Sequence, residues 1–478
     1  MSKPNVVFIL VDQHRWDFMG YESNGVTFTP NLDVLAEEGV AFGKAYCTAP
    51  LCSPSRAAIA LGRTAEHSGC FTNLHEPPPA SPSFVSQLRS AGYKTMAVGK
   101  THMEIHAYDA DYTSPKHLAY MNSLGWDDTC EVSGSGMMKT GLVGAYDKWL
   151  RTEGVFEDVL AFKKNWGYFM NADGGGLPEF ECLEWPFDEK YHETNFIGDR
   201  SLAWLAEHAT TGPFLLHVGF AAPHSPIEPL SRFMDLYRDR EEPMPWGVTS
   251  ANESMLNGRR GYRAMISQID ETVGRIRALL EAQGVLQNTL FVYVADHGDM
   301  AHDHGITGKV CFFEGSVHVP LVISGAGVRA RPKSDALVSL VDLGSTVCDL
   351  CGVSTHDADE GRSLVPILCG EREAHRDFVV STMGCDRMVL DGKWKLMWGD
   401  PLLDDRKLGR LHLDKPVNVP PSPPRLYDLA NDPHELNDLA NDPPSPKIIE
   451  SLVAKLGTRT LEHVVAQPNK SRGEYRPL

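Results

Sequence analysis

A chain of 478 residues exceeds one ordinary domain and can bury a large core beside a smaller appended unit. Its 42% hydrophobic and 23% charged residues place it in the globular class and exclude fibrous, collagen-like and disordered chains. A formal net charge of −18 repels polyanions, which excludes nucleic acid and anionic membrane as main partners; an anionic substrate then needs a local basic pocket.

The first apolar run, NVVFILV over residues 5–11, is continuous and β-branched, which predicts a strand buried on both faces. It is too short to span a membrane, lacks a small-residue cleavage site, and ends in Asp12 and Gln13. TPNLDVLAEEG, residues 29–39, repeats apolar residues at three and four and closes on glycine, as a helix does. In CSPSRAAIALG, Pro54 suits a first helical turn, residues 57–61 favour helix and Gly62 stops it. Cys52 then sits at or just before a helix N-terminus, where free amides and the positive dipole end attract an anion and lower a thiol pKa. Arg56, one turn in, can clamp a tetrahedral oxyanion. A buried structural cysteine is the alternative.

SPSFVSQLRSAG (81–92) predicts a second helix, and KTMAVG (94–99) a strand that ends in Lys100 with His102 close behind. From about Thr129 to Glu193 the texture changes to glycine, serine and tryptophan, with GGG at 174–176. This is a long excursion over the site, either a lid or specificity element or an ordinary surface insertion. FLLHVGF (214–220) predicts a strand leading to Pro223 and His224, with His217 in its core. A helix over 262–284 follows, then strands LFVYVA (290–295), which ends in Asp296 and His297, and VPLVIS (319–324). Cys348 and Cys351 form a C-x-x-C inside LVDLGSTVCDLCGV, whose apolar spacing predicts a helix closed at Gly352 and a buried face rather than a redox or zinc motif. Past residue 371, MVLDGKWKLMW predicts a hairpin turning at Asp391-Gly392. PPSPP at 420–424 predicts a loop, and there are no internal repeats. The ten cysteines lack a framework spacing, which fits reduced thiols in a cytoplasm.

Alternation of strands and helices predicts an α/β fold, with a large, mixed but mainly parallel sheet flanked by helices over residues 1–370. A smaller antiparallel subdomain and tail over 371–478 completes the chain. Four strands end in chemically capable residues, and ligands of open α/β sheets bind beyond the carboxyl ends of strands. One site can therefore collect Asp12, Gln13, Lys100, His102, His224, Asp296 and His297.

Cys52, Pro54, Ser55 and Arg56, followed by a short helix and Gly62-Arg63, resemble the signature of the type I, formylglycine-dependent sulfatases of the alkaline phosphatase superfamily. NVVFILVDQHRWDFMGY, TPNLDVLAEEGVAFGKAY, AVGKTHM, HVGFAAPHSPIEP, ADHGDMAHDHGITGKVCFFEGSVHVPLVISG and LYDLANDPHELNDLA extend the resemblance from about residue 4 to 440. It implies that Cys52 is oxidised to formylglycine by a formylglycine-generating enzyme. It also implies that Asp12, Gln13, Asp296 and His297 bind one divalent ion together with residue 52. Oxygen-rich ligation with one imidazole suits Ca2+ first, then Mn2+ or Mg2+. Many sulfatases carry aspartate where Gln13 stands and asparagine where His297 stands, which weakens the preference for Ca2+. The resemblance further implies a hydrated formylglycine that attacks sulfur through one hydroxyl and expels sulfate through the other. Arg56, Lys100 and Lys309 would clamp the transferred group, and His224 or His102 would protonate the leaving oxygen. His302, His304 and His318 match no family ligand and read as structural.

The implied activity is hydrolysis of small anionic sulfate monoesters by a cytoplasmic enzyme, with a dimer or tetramer formed through the C-terminal region. The nearest alternative is a phosphonate monoester or phosphodiester hydrolase of the same superfamily, kept open by Gln13 and His297 and opposed by Lys100 and His102. A binding protein never converted at Cys52 is the alternative from another class, opposed by the intact set of ligands and lysines. No cage for a cationic headgroup, as a choline-sulfate hydrolase would need, is legible.

Overall fold

The continuous apolar runs become strands of one seven-stranded sheet in the computed structural model, which describes residues 3–465 apart from 24, 106–109, 135–137, 139–140, 166–179, 332, 385 and 399–422. In chain order its strands are β1 (Asn5–Asp12), β2 (Gly39–Ala41), β3 (Lys94–Gly99), β4 (Asp128–Glu131), β5 (Phe214–Pro223), β6 (Thr289–Ala295) and β7 (Leu321–Gly325). They lie in the order β2-β7-β6-β1-β5-β3-β4. The five strands from β6 to β4 run parallel, and β7 is antiparallel to both β6 and β2. The sheet is thus mixed and mainly parallel.

β1 shows why these runs carry no polar alternation. Phe8 and Leu10 sit in one buried cluster with Phe84 and Leu343, while Val7, Ile9 and Val11 sit in another with Ile266, Ile269 and Val273. Successive side chains point to opposite faces, and both faces are covered by helices. α1 (Pro30–Glu38) and the long α4 (Glu253–Ala282) cover one face; α2 (Cys52–Leu61), α3 (Phe84–Ser90) and α5 (Asp342–Leu350) cover the other.

Two elements differ from their sequence expectation. The run expected over 319–324 splits at Pro320, which lacks the N–H a central strand needs. His318–Val319 pairs instead with Ala45–Tyr46 in a separate small sheet. The helix expected from residue 262 begins earlier, at Glu253, capped by Asn252, whose side chain accepts from the Met255 N–H. Its early turns bury Arg259 and Arg263 on Glu242, so the inward face there is ionic and the apolar period is hidden.

Cys348 lies on the buried face of α5 and Cys351 at its end; burial pushes their thiols up to about 12 and about 11. That is the expected inert helical pair. The hairpin at Asp391-Gly392 joins β9 (Asp386–Leu390) to β10 (Trp394–Trp398), in an antiparallel sheet with β8 (Val379–Met383) and β11 (Arg425–Asp428). Met388, Leu390 and Met397 on one face join the main core, and Val389, Leu396 and Leu426 on the other meet Leu452 of α6 (Pro446–Val465). Residues 420–422 of the expected loop, and part of the 129–193 excursion, lie outside the described residues.

Candidate active site

The parallel register brings the carboxyl ends of β1, β3, β5 and β6 to one edge. Asp12 stands opposite Pro223, the Asp296 N–H donates to the Val11 carbonyl at 3.2 Å, and the Lys100 N–H to the Gly219 carbonyl at 2.7 Å. Beyond this edge the chain turns sharply, and Gln13 (φ 64°) and His102 (φ 56°) both occupy the left-handed region. The His102 N–H donates to Glu131 at 3.2 Å and the Thr101 N–H to the same oxygen at 2.6 Å, which holds the turn after β3.

Cys52 is the first residue of α2 and is buried. Its Sγ lies 3.2 Å from His297 Nε2, 3.3 Å from Lys309 Nζ and 3.7 Å from Asp12 Oδ1. Asp12, Cys52, Asp296 and His297 each offer a donor atom, all within 4.8 Å of one another. His297 Nδ1 lies 3.0 Å from the Gly298 carbonyl, so Nε2 is the ring nitrogen that faces the cluster; burial lowers this imidazole, but Asp296 and Cys52 outweigh it and hold the ring above its ordinary value. Asp296 Oδ1 accepts from the Gln13 and His297 N–H groups at 3.0 and 2.9 Å, so the backbone holds this carboxylate.

Around this cluster the cations divide into two kinds. Arg56 is 1% exposed and braces the acids from behind: Nε is 2.6 Å from Asp296 Oδ2, Nη2 is 3.5 Å from Asp12 Oδ2, and Nη1 donates to the Lys100 carbonyl at 2.6 Å. This guanidinium therefore faces the carboxylates. Lys100 Nζ also binds Asp12. Lys309 is only half-buried and reaches Gln13 Oε1 at 2.5 Å. His224 is likewise half-buried, with Nδ1 2.7 Å from the Ser225 carbonyl. Lys309 and His224 mark the accessible side.

The electrostatics follow from burial against this set of charges. Burial raises the Asp12 carboxyl, but Lys100, His224, Lys309 and Arg56 outweigh it and hold the group well below the usual carboxylate range. Burial and Asp12 raise the Cys52 thiol, yet Lys309 and Lys100 bring it below its ordinary value. Burial and Lys309 keep His224 well below the usual imidazole range.

The structure brings Asp12, Gln13, Cys52, Arg56, Lys100, Asp296, His297 and Lys309 into one contact network, and Asp12, Lys100 and Lys309 act on the charge of His224. His217 stays in the core, stacked on Phe8. His304 stacks on Phe313, and His318 lies between Trp16 and Tyr46 with Nδ1 on Glu314. Sequence reasoning missed Ser55, whose hydroxyl donates to the Asp296 carbonyl at 2.6 Å, and the buried acids Glu131 and Asp299. Glu131 gave no signal inside the glycine- and serine-rich excursion, which also passes beside the site: a Cβ on Gly134 would lie 3.6 Å from Lys100 Cδ.

Comparison with known proteins places the chain in a family. A family model described as Sulfatase matches residues 4–353. The chain is 28% identical over 412 residues to an arylsulfatase of Clostridium perfringens, covering 79% of this chain and 81% of that one. It is 27% identical over 475 residues to a choline-sulfatase of Rhizobium meliloti, covering 90% and 83%. The solved phosphonate monoester hydrolase of Agrobacterium radiobacter shares the fold with a TM-score of 0.74 over 96% of each chain, at 22% identity. With buried acids, lysines and a cysteine at a helix N-terminus gathered at one sheet edge, the chain belongs to the sulfatase family and is a hydrolase of sulfuric esters.

Proposed function

We propose that the site hydrolyses small sulfate monoesters with residue 52 as nucleophile after its conversion to formylglycine. The observation that carries this is the placement of Cys52 Sγ at the start of α2, within 3.7 Å of His297, Lys309 and Asp12. A formylglycine-generating enzyme reading Cys52, Pro54 and Arg56 is part of the proposal.

The donors fit a divalent ion. Asp12 and Asp296 supply two negative charges, His297 Nε2 a neutral nitrogen and Gln13 Oε1 a neutral oxygen, with residue 52 beside them. Ca2+ is the first choice, and the imidazole and carboxamide leave Mn2+ or Mg2+ open. When bound, the ion would lower the pKa of an oxygen nucleophile and offset charge on the transferred group, and formylglycine would supply the attacking hydroxyl and a second one to release sulfate. Arg56 keeps both carboxylates aimed. Lys100 and Lys309 compensate the equatorial oxygens of the transferred group. His224, at the accessible side, gives the proton to the leaving oxygen once an anionic ester offsets the effect of Lys309; His102 is the second candidate.

Gln13 and His297 favour one second reading, hydrolysis of phosphonate monoesters or phosphodiesters. The test is kcat/KM for an aryl sulfate against the matching aryl phosphonate monoester, on metal-loaded protein with formylglycine confirmed at position 52. A lead of about tenfold or more for the sulfate, about 1.4 kcal/mol of transition-state discrimination, is expected. A lead for the phosphonate would overturn the sulfate preference and show that Lys100 and His102 carry less than assigned.

Dimers or tetramers formed through the C-terminal region, and a cytoplasmic location, belong to the same proposal. The nine cysteines among the described residues are all free, which supports a reducing compartment. No helix among the described residues is long and apolar enough to cross a membrane.

A further inference from the structure

Gln13 holds a position that the hydrogen-bond chemistry makes unambiguous. Its Oε1 accepts from the Lys309 ammonium at 2.5 Å, and its Nε2 donates to Asp299 Oδ2. An ammonium can only donate and an ionised carboxylate can only accept, so the carboxamide has one possible orientation between them. Glutamate in the same shape would keep the bond to Lys309 and set two carboxylates against each other at Asp299. The other oxygen of Asp299 does separate work. Oδ1 accepts from the N–H groups of Ala301 at 2.7 Å and Gly308 at 3.0 Å, closing the loop that leads directly into Lys309. Met300 and Gly308 add a backbone bond of 2.7 Å across that loop, and Ala301 (φ 44°) and Gly308 (φ 76°) take left-handed backbone there. Asp299 is 1% exposed and is not among the donors of the metal cluster.

We infer that Asp299 is a positioning residue that dictates a neutral carboxamide at position 13, aims its oxygen into the site and sets the loop that carries Lys309. This rests on the proposed reading in which Gln13 is a metal ligand. The charge of the metal site is thereby set by a residue that does not touch the ion.

The test is a cycle of Gln13→Glu, Asp299→Asn and the double variant, read as Mn2+ affinity of the apoprotein by competition with a chelator. In the double variant the new carboxylate at position 13 accepts from both Lys309 and the new carboxamide at position 299, so the hydrogen-bond pattern is restored with the charge moved inward. That carboxamide keeps an oxygen for the Ala301 and Gly308 amides. Gln13→Glu is expected to weaken Mn2+ binding about tenfold or more when Asp299 is intact. In the Asp299→Asn background the same change is expected to leave binding unchanged or tighter. Effects equal within about threefold in the two backgrounds would overturn the inference.

A comparison that leaves position 299 intact covers the case in which Asp299→Asn does not fold. Gln13→Glu is expected to bind Mn2+ no more tightly than Gln13→Met, although it offers an extra charged ligand. Tighter binding by the glutamate variant would overturn the inference. Failure of the unsubstituted protein to bind any of Ca2+, Mn2+ and Mg2+ would remove the proposed ligand set and this inference with it. Coupled Mn2+ affinities without sulfate-ester turnover would count against the proposed reaction and uphold the role of Asp299.

Discussion

Cys52→Ala is expected to lower kcat for an aryl sulfate by about 10^4-fold or more, because it removes the group that forms the bond to sulfur. The fold should survive. Cys52 is small and at the first turn of α2, and the packing residues of that helix, Ile59 and Leu61, are untouched. Cys52→Ser separates the nucleophile from its release chemistry. A serine hydroxyl in the same place has no second hydroxyl whose deprotonation expels sulfate, so at most one equivalent of alcohol per enzyme is expected, followed by arrest. Quench-flow counting of released phenol checks both variants. Sustained turnover by the serine variant would show that product release does not use the chemistry proposed for residue 52.

Lys395→Met is expected to destabilise the protein by about 3–5 kcal/mol, as removal of one partner from a buried ion group does. Lys395 Nζ is fully buried in β10, 2.8 Å from Glu314 and 2.7 Å from Glu435. Glu314 also receives His318 Nδ1 at 2.8 Å and the Tyr46 hydroxyl at 3.0 Å, and its own N–H donates to Glu435 at 2.6 Å. Without the ammonium, two buried carboxylates face each other. Burial and Glu314 push the Glu435 carboxyl above its ordinary range, and Lys395 is the group that opposes them. The group ties the C-terminal sheet to the segment just past Lys309, so the loss extends to both. Urea unfolding measures it; a change under about 1 kcal/mol would show that Lys395 merely fills space, as buried ions replaced by apolar residues sometimes do.

How much of this was legible in the sequence depends on whether the signal was local. The strands β1, β3, β5 and β6 are continuous apolar runs, and the residues that follow them fall at one sheet edge because parallel register leaves no other place. Pro54 in the first turn and Gly62, left-handed at the C-cap, announce their helix through backbone preferences that act within a few residues. The early turns of α4 were hidden because Arg259 and Arg263 are buried on an acid from the preceding loop, which no periodicity reports. The same holds for Arg56. Its place in the motif suggested a clamp on substrate, and only the fold reveals Asp12 and Asp296 already on its nitrogens. Asp299 stood in plain view just past Asp296, yet its partner Gln13 lies 286 positions away, so its role becomes visible only in three dimensions.

The most direct single measurement is peptide mass at residue 52 across preparations with different degrees of conversion, each assayed for aryl sulfate turnover per total protein. Turnover is expected to rise in proportion to the formylglycine fraction and to extrapolate to zero when residue 52 is entirely cysteine. Equal turnover from protein carrying only the thiol would contradict the assignment of residue 52 as the precursor of the nucleophile.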